Sequence, residues 1–315
     1  MRISIVIVNY NGFNLLHNCI KTLQENHSNL DYEIIVVDNK STEGDVADTV
    51  KDFERVVLIK SDRNLGFAIG NNLGLKYAKG EYIAYLNNDT IFIESTLNKI
   101  ADFIENLNEK NVIVGCKLKN QDLSHQECIA DFDTPWNIFS EAFFLYKVFP
   151  KVKRLNKYYQ NFLDLHEVTD VDIVKGAFMF MRKEDALKLG GFDESFFFYS
   201  EEVDLCYRFK EAGGRVIYYP LTSLIHLGGG TTINLPWFKF KQQTLSKMQF
   251  YQKHYSGIKF KCIVSFHYSG VLIRVPLYII GGIILFKPHL MKKGYFYLRQ
   301  MFVVPKREKP NNAPK

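Results

Sequence analysis

Residues 81–92 read EYIAYLNNDTIF, and the way the chain uses them decides the fold. Tyr82-Ile83-Ala84-Tyr85-Leu86 has strand composition, apolar and aromatic, yet it stops at Asn87-Asn88-Asp89. Asn and Asp make turns because their side chains bond nearby backbone and tolerate left-handed dihedrals. They are also the side chains a ligand needs at the carboxyl end of a parallel strand, where open α/β sheets bind. The segments on either side weigh one reading against the other.

Working outward, Ile3–Val8 is a β-branched run suited to a strand covered on both faces, and Leu15–Leu23 carries helical spacing. Glu33–Val37 and Arg55–Ile59 read as strands, and Phe67–Ala78 as a helix closed by Lys79-Gly80. After Tyr82–Leu86 come a helix through Glu94–Leu107 and a strand at Val112–Leu118. Strand alternating with helix predicts an α/β fold on a mostly parallel sheet with right-handed crossovers. From about residue 120 to 169 no period is visible. Regularity returns at Val171–Met181, followed by helices at Lys183–Leu189 and Val203–Ala212 and a strand at Arg215–Tyr219. We therefore expect an α/β domain over 1–235 and a C-terminal helical segment over 236–315.

Four strand ends are polar in the same way: Asn9-Tyr10-Asn11-Gly12, Asp38-Asn39-Lys40-Ser41, Asn64-Leu65-Gly66-Phe67 and Asn87-Asn88-Asp89. Each alone reads as a turn. In a parallel sheet all four fall on one edge, and their convergence favours a site.

Composition narrows the classes. The 315 residues include 26 Phe and 18 Tyr, suited to wide grooves or a membrane-facing surface. A net charge of +6, much of it C-terminal, lacks the basic stripe of a nucleic-acid binder. The five cysteines form no C-x-x-C pair, which points away from disulfide frameworks and zinc clusters and towards a reducing cytoplasm. The apolar stretch of MRISIVIVNYNG is too short for a signal-peptide core, so it reads as the first strand.

The ligand is limited next. No dinucleotide fingerprint G-x-G-x-x-G and no phosphate loop G-x-x-x-x-G-K-[ST] is present; Gly66, Gly70 and Gly74, four apart, instead predict close helix packing. Asp38 can accept a hydrogen bond from a base or ribose. Asp89 is a hard oxygen ligand of the kind that holds Mg²⁺ or Mn²⁺ against a diphosphate. A divalent cation neutralises the charge of such a leaving group.

ISIVIVNYNG, IIVVDNKSTEG, NLGFAIGNNLG and GEYIAYLNND, in this order and spacing, resemble the family 2 glycosyltransferases of GT-A fold, most closely a bacterial rhamnosyltransferase-like branch. The resemblance runs from Met1 to about Gly230. It implies a nucleotide-diphosphate-sugar donor, a divalent cation and inversion at the anomeric carbon. It implies that Asp38 reads the base and that Asn9, Asn64 and Asn72 line the nucleotide pocket, to which the loop residues Asn11, Gly66 and Asn88 are added. Asp89 ends the family's D-x-D element. Asn87 replaces its first carboxylate and brings no charge, so the donor diphosphate is expected to supply much of the metal affinity.

Tyr199-Ser200-Glu201-Glu202-Val203-Asp204-Leu205 resembles the family's E-D-x-D-L element, in which the second acid is the catalytic base; Glu202 takes that place, one methylene longer than Asp. A sugar hydroxyl is a poor nucleophile until a carboxylate takes its proton. The competing reading is an acidic first helical turn favoured by the helix dipole, with Glu201 and Asp204 as helix-start residues. His226, in LIHLGGGTT, matches a position that completes the metal shell in related enzymes, although a lone His is more often structural. Phe196–Phe198 reads either as an acceptor groove or as packing. The processive Q-x-x-R-W element is absent, which predicts one sugar per encounter.

The C-terminal VLIRVPLYIIGGIILF (271–286), followed by Lys287, His289, Lys292 and Lys293, reads as an interfacial membrane segment or a buried helical pair. Uninterrupted apolar sequence after Arg274 is about half of the ~20 residues a spanning helix needs. The expected activity is non-processive glycosyl transfer, dTDP-rhamnose favoured, to a glycan or polyprenyl-linked glycan in bacterial cell-surface polysaccharide synthesis. The expected location is cytoplasmic, peripheral on the inner membrane through anionic lipid contact. A UDP-hexose or UDP-N-acetylhexosamine donor and a non-catalytic sugar-nucleotide-binding module are the alternatives.

Overall fold

The computed structural model describes residues 3–109, 111–149, 151–152, 155, 166–228 and 236–303. The chain divides into two compact units, residues 1–132 with 151–235, and residues 133–150 with 236–315. The second unit thus takes in a stretch of the segment where no period is visible.

The first unit runs β1 (Ile3–Asn9), α1 (Phe13–Asn26), β2 (Tyr32–Asp38), α2 (Val46–Val50), β3 (Val56–Lys60), α3 (Gly66–Tyr77), β4 (Tyr82–Asn87), β5 (Thr90–Phe92), α4 (Thr96–Glu105) and β6 (Val112–Lys119). Short strands β7 (His125–Gln126) and β8 (Ile129–Ala130) follow. The second unit contributes α5 (Pro135–Ala142) and α6 (Leu145–Val148). The first then resumes with β9 (Thr169–Asp170), β10 (Ile173–Val174), β11 (Phe178–Arg182), α7 (Lys183–Lys188), α8 (Glu201–Glu211) and β12 (Arg215–His226). Helices α9 (Pro236–His254), α10 (Gly257–Ile284) and α11 (Pro288–Gln300) complete the second unit.

The main sheet has the order β3-β2-β1-β4-β11-β6-β12-β5. The first four strands are parallel, as is the β6–β12 pair, whereas β11 runs antiparallel between β4 and β6. The fold is α/β on a mostly parallel sheet with a C-terminal helical region. Ile5, Val6 and Ile7 are consecutive and all fully buried, as are Ile34 to Val37. A strand whose successive side chains point to opposite faces can do this only if both faces are covered.

Three stretches differ from the sequence expectation. Val171–Met181 is two strands, β10 and β11, separated by the Lys175-Gly176-Ala177 bend. Strand β12 continues past Tyr219 to His226 through an irregularity between Tyr219 and Ser223, at Pro220, which has no N–H for the ladder. Helix α8 starts at Glu201, two residues early. The cysteines Cys19, Cys116, Cys128 and Cys206 are buried thiols and Cys262 is half-buried; none is in a disulfide.

The glycines of α3 do two jobs. A Cβ on Gly74 would lie 2.3 Å from Val6 Cγ1, and one on Gly70 would lie 3.0 Å from the Val8 methyls. These two let α3 sit directly on β1. Gly66 instead has φ +77° and faces the Phe197 carbonyl, where a Cβ would lie 2.3 Å from the oxygen. Replacing Gly74 by Val forces α3 off β1 and is expected to lower stability by roughly 1–3 kcal/mol. A urea melt with lowered midpoint and unchanged slope is the signature; an unshifted midpoint contradicts this packing.

Candidate active site

Sheet register builds the site. Strand β1 pairs Asn9 with Asp38 of β2 and Val8 with Asn87 of β4. The three parallel strands therefore end level, and their polar tips stand side by side on one edge. Asn88, one residue beyond β4, donates from Nδ2 to Asn9 Oδ1 at 2.7 Å. Loop one passes so close that a Cβ on Gly12 would lie 2.4 Å from Asn88 Nδ2. Asp38 is buried, and its Oδ1 accepts from the Ser41 backbone N–H (3.1 Å) and hydroxyl (2.6 Å). Ser41 Oγ in turn accepts from the Asn11 backbone N–H at 2.9 Å. Asn11, at φ 52°, clamps the two loops together, its Oδ1 accepting from Thr42 N–H at 2.7 Å.

Asn39 ties in the third loop. Its Nδ2 donates to Asn64 Oδ1 (3.2 Å) and the Gly66 carbonyl (2.9 Å), and its Oδ1 accepts from Leu65 N–H (2.8 Å). Asn64 Oδ1 also accepts from Gly66 N–H at 3.0 Å. The contacts of Asn72 go elsewhere: it brackets the Phe192 main chain, donating to the carbonyl (2.8 Å) and accepting from the N–H (2.9 Å), and also donates to Glu194.

The Asn87-Asn88-Asp89 stretch is both a turn and part of the site. Asn88 and Asp89 form the turn from β4 into β5, and β5 pairs antiparallel with β12 so that Thr90 meets His226. Asp89 is buried, with Oδ1 3.2 Å from His226 Nε2, and Asn87 Nδ2 lies 3.3 Å from the same nitrogen. Gln126 decides the imidazole's protons. Its Nε2 donates to Asn120 Oδ1 (2.9 Å) and the His226 carbonyl (3.0 Å), so its Oε1, 2.7 Å from His226 Nδ1, can only accept. Nδ1 therefore carries hydrogen, which leaves Nε2 as the ring nitrogen facing Asp89 and the Asn87 amide. A histidine that ligates a metal through one nitrogen donates its other ring N–H to a fixed acceptor, and Gln126 Oε1 is such an acceptor here. Among the described residues no three His, Cys, Asp or Glu cluster to hold a metal on their own. The donors present, one carboxylate oxygen and one imidazole nitrogen with an amide beside them, fit a divalent cation whose remaining ligands come from elsewhere.

The acidic helix start has three different carboxylates. Tyr199 (φ 71°) and Ser200 (φ 64°) are consecutive left-handed non-glycine residues, and such strain clusters at functional sites. Asp204 is fully buried and bonded to Arg208 Nε at 2.6 Å; Arg208 also donates to the carbonyls of Leu189 and Gly191, so this pair holds α8 to the loop after α7. Glu201 is buried, with Oε2 unpartnered, and burial together with the neighbouring Glu202 charge raises its pKa well above the usual carboxylate value. Glu202 is half-buried and lies over Gly176, where a Cβ would meet its own Cβ at 3.4 Å and the Phe67 ring at 3.9 Å. Gly176 adjoins Ala177, whose carbonyl accepts from Asn87 N–H at 3.0 Å. Glu202 is thus two short steps from the Asn87–Asp89 turn on one side and from the Gly66 loop on the other. The phenylalanine run splits: Phe196 is core, Phe197 is exposed, and Phe198 packs on Phe67 and Tyr199.

Sequence reasoning put Asn39 and Ser41 in a converging polar loop without assigning either a role, and gave none to Gln126. Ser41, three residues after Asp38 in a polar loop, is a readable turn signal. Gln126 lies where no period is visible and carries no signal at all.

A parallel β3-β2-β1-β4 half joined through an antiparallel strand to a second half, with a strand-end Asp and a D-x-D-like turn on one edge, is the GT-A arrangement of sugar-nucleotide transferases. Residues 4–188 match the family described as "Glycosyl transferase family 2", and the chain belongs to it. It is similar to the rhamnosyltransferase WbbL of Escherichia coli K12, 28% identical over 169 residues, covering 51% of this chain and 60% of that protein. It is also similar to an Escherichia coli enzyme, UDP-Glc:alpha-D-GlcNAc-diphosphoundecaprenol beta-1,3-glucosyltransferase WfaP, 32% identical over 106 residues, 33% of this chain and 41% of that one. The matches therefore span less than two thirds of these relatives' own length. Among solved structures, a Pyrobaculum calidifontis mannosyltransferase in complex with GDP-Man and Mn²⁺ superposes with TM-score 0.57 at 16% identity, covering 96% of this chain and 86% of that one, a likeness of fold.

The Glu201 carboxyl sets a pH expectation. The folded state holds its proton above the unfolded pKa, so the native protein binds more protons and stability falls as pH rises from about 4.5 towards the raised folded pKa. Glu201→Gln removes that dependence. Relative to wild type the variant should gain stability as pH rises above about 4.5, read from urea midpoints. A difference that stays constant with pH contradicts a protonated Glu201.

Proposed function

We propose that this glycosyltransferase moves one sugar from a nucleotide-diphosphate donor to a glycan or polyprenyl-linked glycan acceptor, with inversion, in bacterial cell-surface polysaccharide synthesis. The observation that carries the reading is the level ending of β1, β2 and β4, which joins Asp38, Asn9 and Asn88 and sets Asp89 facing His226 on the same edge. Similarity to the rhamnosyltransferase WbbL favours a rhamnose donor, for which dTDP-rhamnose is our reading; the alpha-D-GlcNAc-diphosphoundecaprenol in the name of WfaP supports a lipid-linked acceptor. Such an acceptor supports a location at the cytoplasmic face of the inner membrane.

In this mechanism Asp38, fixed by Ser41, accepts a hydrogen bond from the base or ribose through its outer oxygen. Asn9, Asn11, Asn64, Gly66 and Asn88 shape the wall of the nucleotide pocket, and Asn72 positions it indirectly through Phe192. Glu202 takes the acceptor hydroxyl's proton as the oxygen bonds to the anomeric carbon. The bond from that carbon to the diphosphate oxygen breaks on the opposite face, and its electron pair leaves with the nucleoside diphosphate. Asp89 and His226 Nε2 would hold a divalent cation, Mg²⁺ or Mn²⁺, which when bound neutralises the leaving diphosphate. Asn87 supplies an uncharged neighbour, so the protein alone would hold that cation weakly and the donor diphosphate would supply much of the affinity.

Two measurements test this. The purified protein is offered dTDP-rhamnose, UDP-glucose, UDP-galactose and UDP-N-acetylglucosamine, with nucleoside diphosphate release as readout; Glu202→Gln should lose kcat by about 10²–10⁴-fold while still binding donor. Unchanged turnover removes Glu202 from the base role, and no turnover with any donor leaves a binding module. Separately, Mn²⁺ titration by calorimetry should show weak binding to the free protein, at least tenfold tighter binding with UDP or dTDP present, and loss of both in Asp89→Ala. Donor-independent Mn²⁺ binding in Asp89→Ala would contradict the assignment.

A further inference from the structure

We propose that the turn between α10 and α11 docks in the interface of an anionic lipid bilayer, with Ile280, Ile283, Ile284 and Phe286 among the headgroups and Lys287, Lys292 and Lys293 on phosphate. This deepens the membrane-side acceptor reading above and rests on it for its purpose, not for its geometry.

The two helices form a tight antiparallel hairpin within their own unit. A Cβ on Gly282 would lie 2.5 Å from Met291 Cγ, and one on Gly294 would lie 2.7 Å from Ile279 Cγ1, so glycines on both helices allow close approach. Tyr278 stacks on Tyr297 with ring centroids 5.5 Å apart. Pairing with α11 covers only one side of the end of α10. Ile280, Ile283 and Ile284 remain more than half exposed, and Phe286 is 92% exposed. Phe286 also adopts φ 52°, while Lys287 N–H bonds back to the Gly282 carbonyl at 2.8 Å, a helix-ending bond pattern that normally places glycine at the left-handed residue. A bulky apolar side chain held there, strained and in water, is costly unless something apolar covers it.

Charge identifies the cover. From Ala212 to Arg307 the chain contains no Asp or Glu, and residues 236–303 hold eleven Lys or Arg. Lys287, His289, Lys292 and Lys293 are all exposed around the apolar tip. A second copy meeting the same face would set cation against cation with no acid to answer it. An anionic membrane surface complements both parts, taking up apolar side chains to ~5–10 Å and pairing with each lysine.

By length and composition α10 could cross a bilayer, but its charges are in the way. Lys259 and Lys261 stand near its start, and Arg274 is buried within the unit, donating to the Glu141 carbonyl at 2.8 Å and lying 4.6 Å from the Phe144 ring centre. Arg274 splits the rest into two charge-free stretches, residues 262–273 and, at the tip, 275–286, the latter about 18 Å of helix against a hydrocarbon core of about 30 Å. Docking in the interface uses this stretch without moving Arg274.

The 315-residue protein is sedimented with phosphatidylcholine vesicles and with vesicles about one third phosphatidylglycerol, at low and high salt. Wild type should partition to the anionic vesicles roughly tenfold or more above the neutral ones, and lose this preference in high salt. Lys287→Glu/Lys292→Glu/Lys293→Glu should lose at least tenfold on anionic vesicles, and Phe286→Asp should lose binding to both. Because all four side chains are exposed, folding should survive, checked by circular dichroism. Absence of wild-type binding to anionic vesicles, or equal binding by the variants, overturns the proposal. Micromolar self-association by light scattering that Phe286→Asp abolishes assigns the face to a second copy and overturns it too. Turnover with a soluble acceptor, run in parallel, separates the hypotheses: vesicle binding without turnover sinks the reaction, and turnover without vesicle binding sinks the docking.

Discussion

Everything at the candidate active site depends on β1 being held between β2 and β4 in one register. Seven residue pairs join it to β2 and six to β4, and the last of them set Asn9 against Asp38 and Val8 against Asn87. Side chains alternate faces along a strand, so a slip by one residue would reverse Ile5 and Val6 in the core and carry Asn9 out of reach of Asn88. The apolar packing that forbids the slip is therefore what aligns the polar tips. Gly70 and Gly74 belong to the same constraint, since they let α3 press on Val8 and Val6 and bring the Asn64–Gly66 loop to the edge.

The two ends of this sheet use polarity differently. At the amino end, Ser4, Glu33, Lys79 and Gly80 form a closed knot: Ser4 Oγ and Lys79 N–H both donate to Glu33 Oε1 at 2.7 Å, and Gly80 N–H donates to Ser4 Oγ at 2.8 Å. Those groups satisfy one another and stabilise a crossover. At the carboxyl end the groups brace each other from behind. Ser41 takes one oxygen of Asp38, and Gln126 takes one nitrogen of His226, leaving the second atom of each side chain turned the other way. Bracing of this kind removes rotamer freedom before a ligand arrives, which lowers the entropic cost of binding.

Much of this was legible in the residues. The alternation of β1, β2, β4 and β6 and the helical spacing of α1, α3 and α4 follow from local pattern, and the polar strand ends pointed to an edge. What local pattern could not give was non-local. Strand β11 reads as apolar but not as antiparallel, because direction is set by where the chain returns. Strand β5 is only Thr90–Phe92, too short for any period, yet it carries Asp89 towards His226. Helix α5 did have a start signal, Thr134 capping Asn137 N–H with Pro135 in the first turn, hidden in a stretch without period. In α10, Arg274 and Pro276 break the apolar run in sequence while the helix continues through both. The Glu201–Asp204 cluster was recognisable as acidic, but the division into a buried acid, a half-buried acid and an ion-paired lock depends on which turn of α8 faces the core.

That division has an electrostatic logic that extends to the whole edge. Two unit charges 4 Å apart at a protein surface repel by about 4 kcal/mol, so a site that receives a nucleoside diphosphate cannot be lined freely with carboxylates. This edge meets the demand with amides: Asn9, Asn11, Asn39, Asn64, Asn87 and Asn88 offer donors and acceptors without charge. Carboxylate charge is asked for by the proposed chemistry at three positions, Asp38, Asp89 and Glu202. At Glu201 burial suppresses it, and at Asp204 Arg208 balances it. Asn87 fits the same rule. A second carboxylate beside Asp89 would bind a cation more tightly in the empty site and repel the diphosphate whenever the cation was absent. With the amide, a cation and a diphosphate bound as proposed would each improve the site for the other, and linkage would make that improvement equal in both directions.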